Sequence, residues 1–512
     1  MEFILVALLV ALMLCTFSLL HRRLLHLTNQ STHFRLPPGP KPLPILGNLL
    51  QLGYRPHWTL AQMARSYGPV MLVSLGNMRT VVVSSSAAAR EMFRDHDAAL
   101  AGRMVYEAMR FESTNEGSII TAQLGVEWRM LRRLCTTGFF ATARLDAMAN
   151  VRCRCVEGLV RRVADAPHVD LGRLLFLTSF NHTGNLVMSR DLLDSKEGTL
   201  LFHHAGRIME LVGKPNVSDF IPALRRFDPQ GVRKGMDHHI QSALNVVSGF
   251  LKERVARRER EGSGEDKKKD LLDVLLDFEG DGVEEPKKLS SETIVKVILE
   301  IFIAGIDTTA GTMEWAMAEL INHPEVMRKA QAELRGSIAT NKEHLEERDV
   351  LNLPYLKGVI NETLRLHPPL PFLVPHKALK PCTLLGYHVP QDTQIFVNVW
   401  GIGRDPNSWV NPDEFKPERF VEMEGNNQVE YKGHHFEFLP FGSGRRKCPA
   451  IPLVSRLLPL VIGSLLYFFD WELPNGQDPT RMDMRESMGI SLRKDVSLSV
   501  VAVPHGDLMS GK

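Results

Sequence analysis

Near the C-terminus, Phe441-Gly442-Ser443-Gly444-Arg445-Arg446-Lys447-Cys448-Pro449 sets one cysteine at the end of a glycine-rich, doubly basic turn. Arg445, Arg446 and Lys447 are expected to hold the Cys448 thiol as thiolate, and the glycines to let backbone N–H groups approach the sulfur. No second Cys or His lies at metal-chelating spacing from it. A lone thiolate of this kind suits one axial face of a haem iron. A second group, Ala304-Gly305-Ile306-Asp307-Thr308-Thr309, interrupts an apolar run from Ile294 to Leu320. Helical spacing puts Ala304 and Thr308 on one face with Asp307 beside them. Small residues there let a flat ligand approach the backbone, and the Thr308 hydroxyl can divert the i−4 carbonyl and open the helix locally.

Two further pairs are charged. Glu362 and Arg365, at i and i+3, share a face of a helix that Pro368-Pro369 ends. Trp128 and Arg132, at i and i+4, share another, with Arg129 and Arg133 on the neighbouring face. Each group alone also reads as ordinary structure: a helix with satisfied polar residues, a surface ion pair, a solvated basic helix. Together they must meet at one cofactor. That requires one mostly helical domain with a minor sheet.

The elements that would position them follow from local pattern. Tyr67 to Ser84 predicts strand–turn–strand around Gly76-Asn77, and helical periodicity dominates from about Ser85. The charge-rich stretch Arg257 to Asp270 predicts a surface loop, and Leu379 to Phe396 a return to short strands. Leu36-Pro37-Pro38-Gly39-Pro40 through Asn48 excludes helix and favours a stiff extended segment. The expected organisation is a membrane anchor over 1–23, a linker and proline-rich hinge over 24–48, and a catalytic domain over 49–512.

Bulk properties narrow the function class. With 61 Lys+Arg against 59 Asp+Glu, no global field marks a nucleic-acid binder. Six cysteines without any Cys-x-x-Cys do not form a disulfide framework. Phe3 to Leu20 carries no charge and is followed at once by His21, Arg22 and Arg23. That predicts a single transmembrane span with the body on the cytosolic side, and the endoplasmic reticulum as the membrane.

Phe441, Gly444, Arg446 and Cys448, in the pattern Phe-x-x-Gly-x-Arg-x-Cys, resemble the haem-binding signature of the cytochrome P450 monooxygenases. The proline hinge, Trp128-x-x-x-Arg132, the Ala304–Thr309 group, Glu362-x-x-Arg365 and Pro417-Glu418-Arg419-Phe420 resemble that family's motifs in their order. One departure is Ala450, where the family has glycine. The resemblance implies the cytochrome P450 fold, mainly α with a minor β-sheet, and haem b held by Cys448 with Phe441, Arg446 and Ala304 beside it. It implies Trp128 and Arg132 on one propionate, and His376 on the other. Thr308 matches the oxygen-activating threonine and Asp307 its acidic neighbour in a proton relay. Glu362, Arg365 and Arg419 match an interlocking structural trio.

Family positions imply a substrate lining of Phe111, Ile119, Ile120, Ile301, Phe372, Leu373, Met488 and Ile490. Such a lining suits an apolar small molecule; Glu300, one turn before Ala304, could meet a polar group on it, but such a carboxylate more often pairs with protein or water. Glu314-Trp315-Ala316-Met317-Ala318-Glu319-Leu320 and Phe469-Asp470-Trp471-Glu472-Leu473-Pro474 resemble the plant microsomal group, more narrowly its geraniol and diterpene hydroxylases. The implied partners are dioxygen, NADPH–cytochrome P450 reductase and cytochrome b5. Arg129, Arg133 and Lys447 would offer the acidic donor a basic patch. Two alternatives keep the fold: a hydroperoxide-rearranging enzyme without reductase, which the Asp307-Thr308 pair disfavours, and a non-catalytic haem-carrying membrane protein.

Overall fold

The computed structural model describes residues 35–110, 115–166, 168–261, 270–339, 342–421 and 429–505. The expected anchor over 1–23, and Phe111 of the expected lining, lie outside the described residues. Two antiparallel strands, β1 (Val70–Leu75) and β2 (Met78–Val83), turn at Gly76 and pair Val70 with Val83 through Leu75 with Met78. Short strands β3 (Gly102–Arg103), β4 (His376–Lys377) and β5 (Gln394–Val397) complete a sheet in the order β1-β2-β5-β4-β3. β5 runs parallel to β2, and the β3–β4 register sets Arg103 opposite His376. The sheet thereby joins two basic side chains far apart in sequence.

The helices carry the rest. α1 (Val126–Arg133) holds Trp128 and Arg132. α2 (Leu171–Met188), α3 (Lys196–Gly213) and α4 (Val232–Glu261) precede the long α5 (Ser291–Asn322). The Ser290 side chain caps α5 by accepting from Thr293 N–H, and Pro324 begins the next helix after His323 ends it. α6 (Pro354–Leu366) follows, then α7 (Ile451–Phe468) directly after the cysteine turn, and the hairpin β6 (Glu486–Met488) and β7 (Leu492–Lys494) closes the region. α5 packs against α2, α4, α6, α7 and β7, which makes it the axis of the molecule. α7 is long and apolar enough to cross a membrane, but most of it is buried among the other helices, as a core helix is.

Three expectations change. The proline segment is no free linker over its described part: Leu72 N–H donates to the Pro38 carbonyl (2.8 Å), Asn48 N–H to Ser74 O (2.6 Å), and Ser74 N–H to Asn48 Oδ1 (2.8 Å). Residues 35–48 are therefore part of the body, because β1 leaves an edge of unpaired backbone groups for them to satisfy. α5 runs through Thr308 as unbroken α-helix, although the hydroxyl does bond the Ala304 carbonyl. The expected surface loop begins later, since α4 extends to Glu261, and its last residue, Asp270, is buried against Arg254 (2.7 and 3.0 Å).

Candidate active site

The cysteine turn is fixed by two glycines in the left-handed region, Gly442 (φ 68°) and Gly444 (φ 66°). A Cβ on Gly444 would come 2.2 Å from Asp97 Oδ1, so only glycine lets this turn close on Asp97. Arg445 pairs with that same carboxylate (2.6 Å), and Ser443 Oγ donates to Gly433 O (2.7 Å). Cys448 N–H donates to Phe441 O (3.0 Å), which brings the ends of the turn together. The half-buried Cys448 thiol is left with Ala450 N–H and Arg132 as its stabilising neighbours.

That arrangement corrects the expectation for the sulfur. Burial pushes the Cys448 thiol above its ordinary pKa, and the Ala450 N–H and Arg132 act against that rise. Arg445 points to Asp97, Arg446 into the protein and Lys447 to the Lys432 carbonyl (3.0 Å). The three basic residues of the turn are aimed elsewhere. Ala450 sits at φ −87°, which any residue adopts, so its methyl imposes no backbone strain where glycine was expected.

Arg103, Arg132, Arg446 and His376 form a basic cluster beside the turn. Arg446 donates to Ala101 O (3.0 Å) and Ala122 O (2.6 Å), lies 4.2 Å over the Trp128 ring, and keeps Nη1 without a partner. Arg103 donates to Ile120 O (3.1 Å) and Val374 O (2.7 Å). Arg132 donates to the Lys447 carbonyl. His376 is buried and bonded through Nδ1 to Leu100 O (2.9 Å). Burial depresses all four; repulsion adds to it for Arg103, from Arg446 and Arg132, for Arg446, from Arg132, and for His376, which is pushed down to about 3 by burial, Arg103 and Arg446. None of the four has a hydrogen-bonded carboxylate among the described residues. Three guanidiniums so placed, Arg103 and Arg446 of them buried, call for an anion, beside which His376 would take up a proton.

Trp128 is placed differently from the expectation. Its indole N–H donates to the Ile119 carbonyl (3.0 Å), so it supports the Arg446 guanidinium by its ring face and fixes the loop ahead of α1. Arg103 was missed in the sequence. The only signal there is a lone arginine after the uncharged run Ala98–Gly102.

On α5, Ala304 is exposed and Gly305 and Thr308 half-buried, while Phe302, Ile306 and Asp307 are buried. These positions form an uncovered strip on a helix whose other faces pack against its neighbours. Thr308 Oγ1 donates to Ala304 O (2.7 Å). Asp307 is turned away from it: its carboxylate accepts from Ser491 Oγ and pairs with Arg493. Burial raises the Asp307 carboxyl above the usual range, opposed by Arg493 and Ser491. Thr308 and Asp307 are thus neighbours in sequence without a hydrogen bond between them.

The expected lining is only partly gathered. Ile119 and Ile301 pack on the same cluster as Phe302, together with Ala450 and Leu453. Leu373 takes a left-handed conformation (φ 56°), and a Cβ on Gly442 would touch it at 3.4 Å. Ile120 and Ile490 are half-buried; Ile490 lies at the C-terminal end of α3, beside Gly213. Phe372 departs from the expectation. It stacks on Phe396 (4.7 Å, 13°) in the sheet core, where Met488 also packs.

Glu300 does not reach toward a substrate. It accepts from Ser118 Oγ and from Ile119 N–H (2.7 Å), fastening the loop ahead of α1 to α5. Burial pushes its carboxyl up to about 7, against the pull of those donors. An unfolded glutamate ionises near 4.5, so the folded protein loses stability as pH rises from there to about 7. The Glu300→Gln variant lacks this titration. Relative to it, wild type is expected to lose roughly 3 kcal/mol between pH 4.5 and 8, read by thermal unfolding at a series of pH values. A pH-independent difference would remove Glu300 from this role.

Glu362, Arg365 and Arg419 interlock, the first two fully buried and Arg419 half-buried with its side chain covered. Arg365 donates to Glu362 at 2.6 and 2.8 Å, and Arg419 Nε and Lys416 N–H donate to the same carboxylate at 2.9 and 2.8 Å. Arg365 also holds the Gly403 and Pro412 carbonyls (2.6 Å each). The basic patch expected on α1 is smaller than the sequence implies. Arg133 pairs with Glu285 (2.7 Å), which leaves Arg129 exposed and Lys447 folded back on Lys432.

The "Cytochrome P450" family pattern matches residues 37–499. Cytochrome P450 76A2 of Solanum melongena is 42% identical over 91% of this chain and 93% of its own. Iridoid oxidase of Catharanthus roseus is 40% identical (91% and 92%), and geraniol 8-hydroxylase of Swertia mussotii 41% (92% and 94%). A zebra fish cytochrome P450 solved with abiraterone superposes with a TM-score of 0.72 over 88% of this chain and 100% of that one, at 24% identity.

Proposed function

The chain belongs to the cytochrome P450 family, and on that premise we propose that it hydroxylates a mono- or diterpenoid at the cytosolic face of the endoplasmic reticulum membrane. NADPH–cytochrome P450 reductase would pass it electrons from NADPH, with cytochrome b5 as a second donor. As a cytochrome P450 it is a monooxygenase with haem b as cofactor, using dioxygen, electrons and a small substrate. The terpenoid reading rests on one observation: relatives aligned over nine-tenths of the chain include a geraniol 8-hydroxylase and an iridoid oxidase. The uncharged stretch Phe3 to Leu20 supports the anchor.

The residues present fit haem b. Its carboxylates would take the place left by the cationic cluster, on Arg103, Arg132, Arg446 and His376, with the unpartnered Arg446 Nη1 available to them. Its flat ring would lie along the open Ala304–Thr308 strip, and Cys448 would supply the thiolate ligand. When bound, haem b supplies the reductive activation of dioxygen that the side chains cannot perform. The protein's own task is to exclude water, place the substrate and meter protons.

Thr308 carries the last proton of that path on Oγ1, now donated to Ala304 O. Rotation about χ1 would free it toward the open strip. Asp307, buried and bonded to Ser491 and Arg493, would have to turn from those partners to pass a proton to it; the Arg493 side chain itself is 40% exposed. A positioned proton donor contributes about 10²–10⁴-fold. In Thr308→Ala, product formed per NADPH consumed is expected to fall at least about tenfold, with peroxide released instead. Unchanged coupling would remove Thr308 from the path.

The proposal is tested by incubating membranes that contain the protein and reductase with NADPH and a panel of acyclic and cyclic terpenoids, then identifying products by mass spectrometry. Expected is an NADPH-dependent gain of one oxygen atom on a terpenoid. Conversion of a lipid hydroperoxide without NADPH, and of no terpenoid, would favour the rearranging enzyme.

A further inference from the structure

On the far side of the helical layer, α3 and α4 bring together imidazoles that the active site does not use. His203 and His204 lie on α3, His238 and His239 on α4. One ring nitrogen each of His203, His204 and His239 falls within 4.8 Å of the others. His204 and His239 meet Nδ1 to Nδ1 at 2.9 Å. Two facing imidazole nitrogens are compatible only if a proton, or a cation, lies between them. The His203–His204 and His204–His239 ring centres are both 5.2 Å apart.

The placement of His204 is costly for a polar ring. It is buried on the α3 face that also buries Leu201, Ala205 and Ile208, a face that an ordinary helix seam fills with aliphatic side chains. Arg207, a neighbouring cation, pairs with Glu210.

We propose that His203, His204 and His239 form a binding site for a divalent transition metal of the zinc class, which clamps α3 to α4. Three neutral imidazoles suit such an ion. Bonds of about 2.0–2.1 Å in a tetrahedral centre set the nitrogens about 3.3 Å apart, so the His204–His239 pair, at 2.9 Å, would open slightly and His203 would close in by side-chain rotation. The fourth position falls to water or to His238, whose ring lies 4.9 Å from that of His239. The end of α3, at Gly213, abuts Gly489 and Ile490. The clamp therefore stiffens a helix that borders the expected substrate lining.

The test uses the untagged, full-length holoprotein, stripped with a chelator and titrated with zinc sulfate by calorimetry. One equivalent is expected to bind and to raise the unfolding temperature. His239→Ala and the exposed-side His203→Ala are each expected to weaken the Kd by at least about tenfold, since loss of even an outer-shell partner costs 10–100-fold. Replacing the other adjacent pair, His434 and His435, should leave it unchanged. The carbon monoxide difference spectrum reports that each variant is folded, and His203→Ala stays informative if a core variant is not. No stoichiometric binding, or equal binding in both single variants, would leave only a hydrogen-bonded imidazole pair and overturn the proposal.

Discussion

Cys448→Ser is expected to abolish the reduced carbon monoxide band that marks a thiolate-bound haem, and to bring hydroxylation to background. The turn is held by groups other than the sulfur: two left-handed glycines, the Arg445–Asp97 pair, the Ser443–Gly433 bond and the Cys448 N–H to Phe441 O. Serine is close in size and keeps every one of them, so the fold should persist. The loss is chemical. A serine hydroxyl does not ionise near neutrality and lacks the electron donation of a thiolate. Unfolding temperature near that of wild type, together with a missing band, is the expected pair of results. A retained thiolate spectrum, or retained turnover, would displace Cys448 from the centre of the site.

Glu362→Ala should act on the fold itself. One carboxylate receives four hydrogen bonds, from Arg365 twice, Arg419 and Lys416. Without it, Arg365, only 1% exposed, stays buried with three backbone carbonyls and the Trp409 ring beside it but no anion to balance its charge among the described residues. Breaking a buried pair by removing one member costs about 3–5 kcal/mol, against a total stability of about 5–15 kcal/mol. The variant is expected to unfold at much lower denaturant and to accumulate poorly as holoprotein. Arg161→Ala is the control: its ion pair with Glu157 is exposed and loose at 3.9 Å, and its removal should cost under about 1 kcal/mol. If denaturation of both variants coincided with wild type, the interlocked trio would carry no structural weight.

What the sequence discloses depends on distance along the chain. Glu362 and Arg365 are legible because i, i+3 spacing fixes their shared face whatever surrounds the helix. The strands at 70–75 and 78–83 are legible for the same local reason. Arg103 is not, since its place comes from pairing a two-residue strand with His376, a contact between remote segments. Nor is the direction of Arg445, Arg446 and Lys447. Their charges look alike in one dimension, and the left-handed glycines send them to three different partners. Trp128 was expected to face a ligand and instead satisfies a backbone carbonyl, while Glu300 pairs with protein, the commoner fate of such a carboxylate, because the loop ahead of α1 leaves those groups buried and in need of partners.

The bond between Ser491 and Asp307 has a practical corollary. Ser491 follows Met488-Gly489-Ile490, the turn an engineer would vary to admit a different molecule. Libraries built at that turn will perturb the acid as well as the pocket wall. Variants selected for a new preference should therefore drift in how efficiently they spend reducing equivalents, and screening on product alone will conceal that leak.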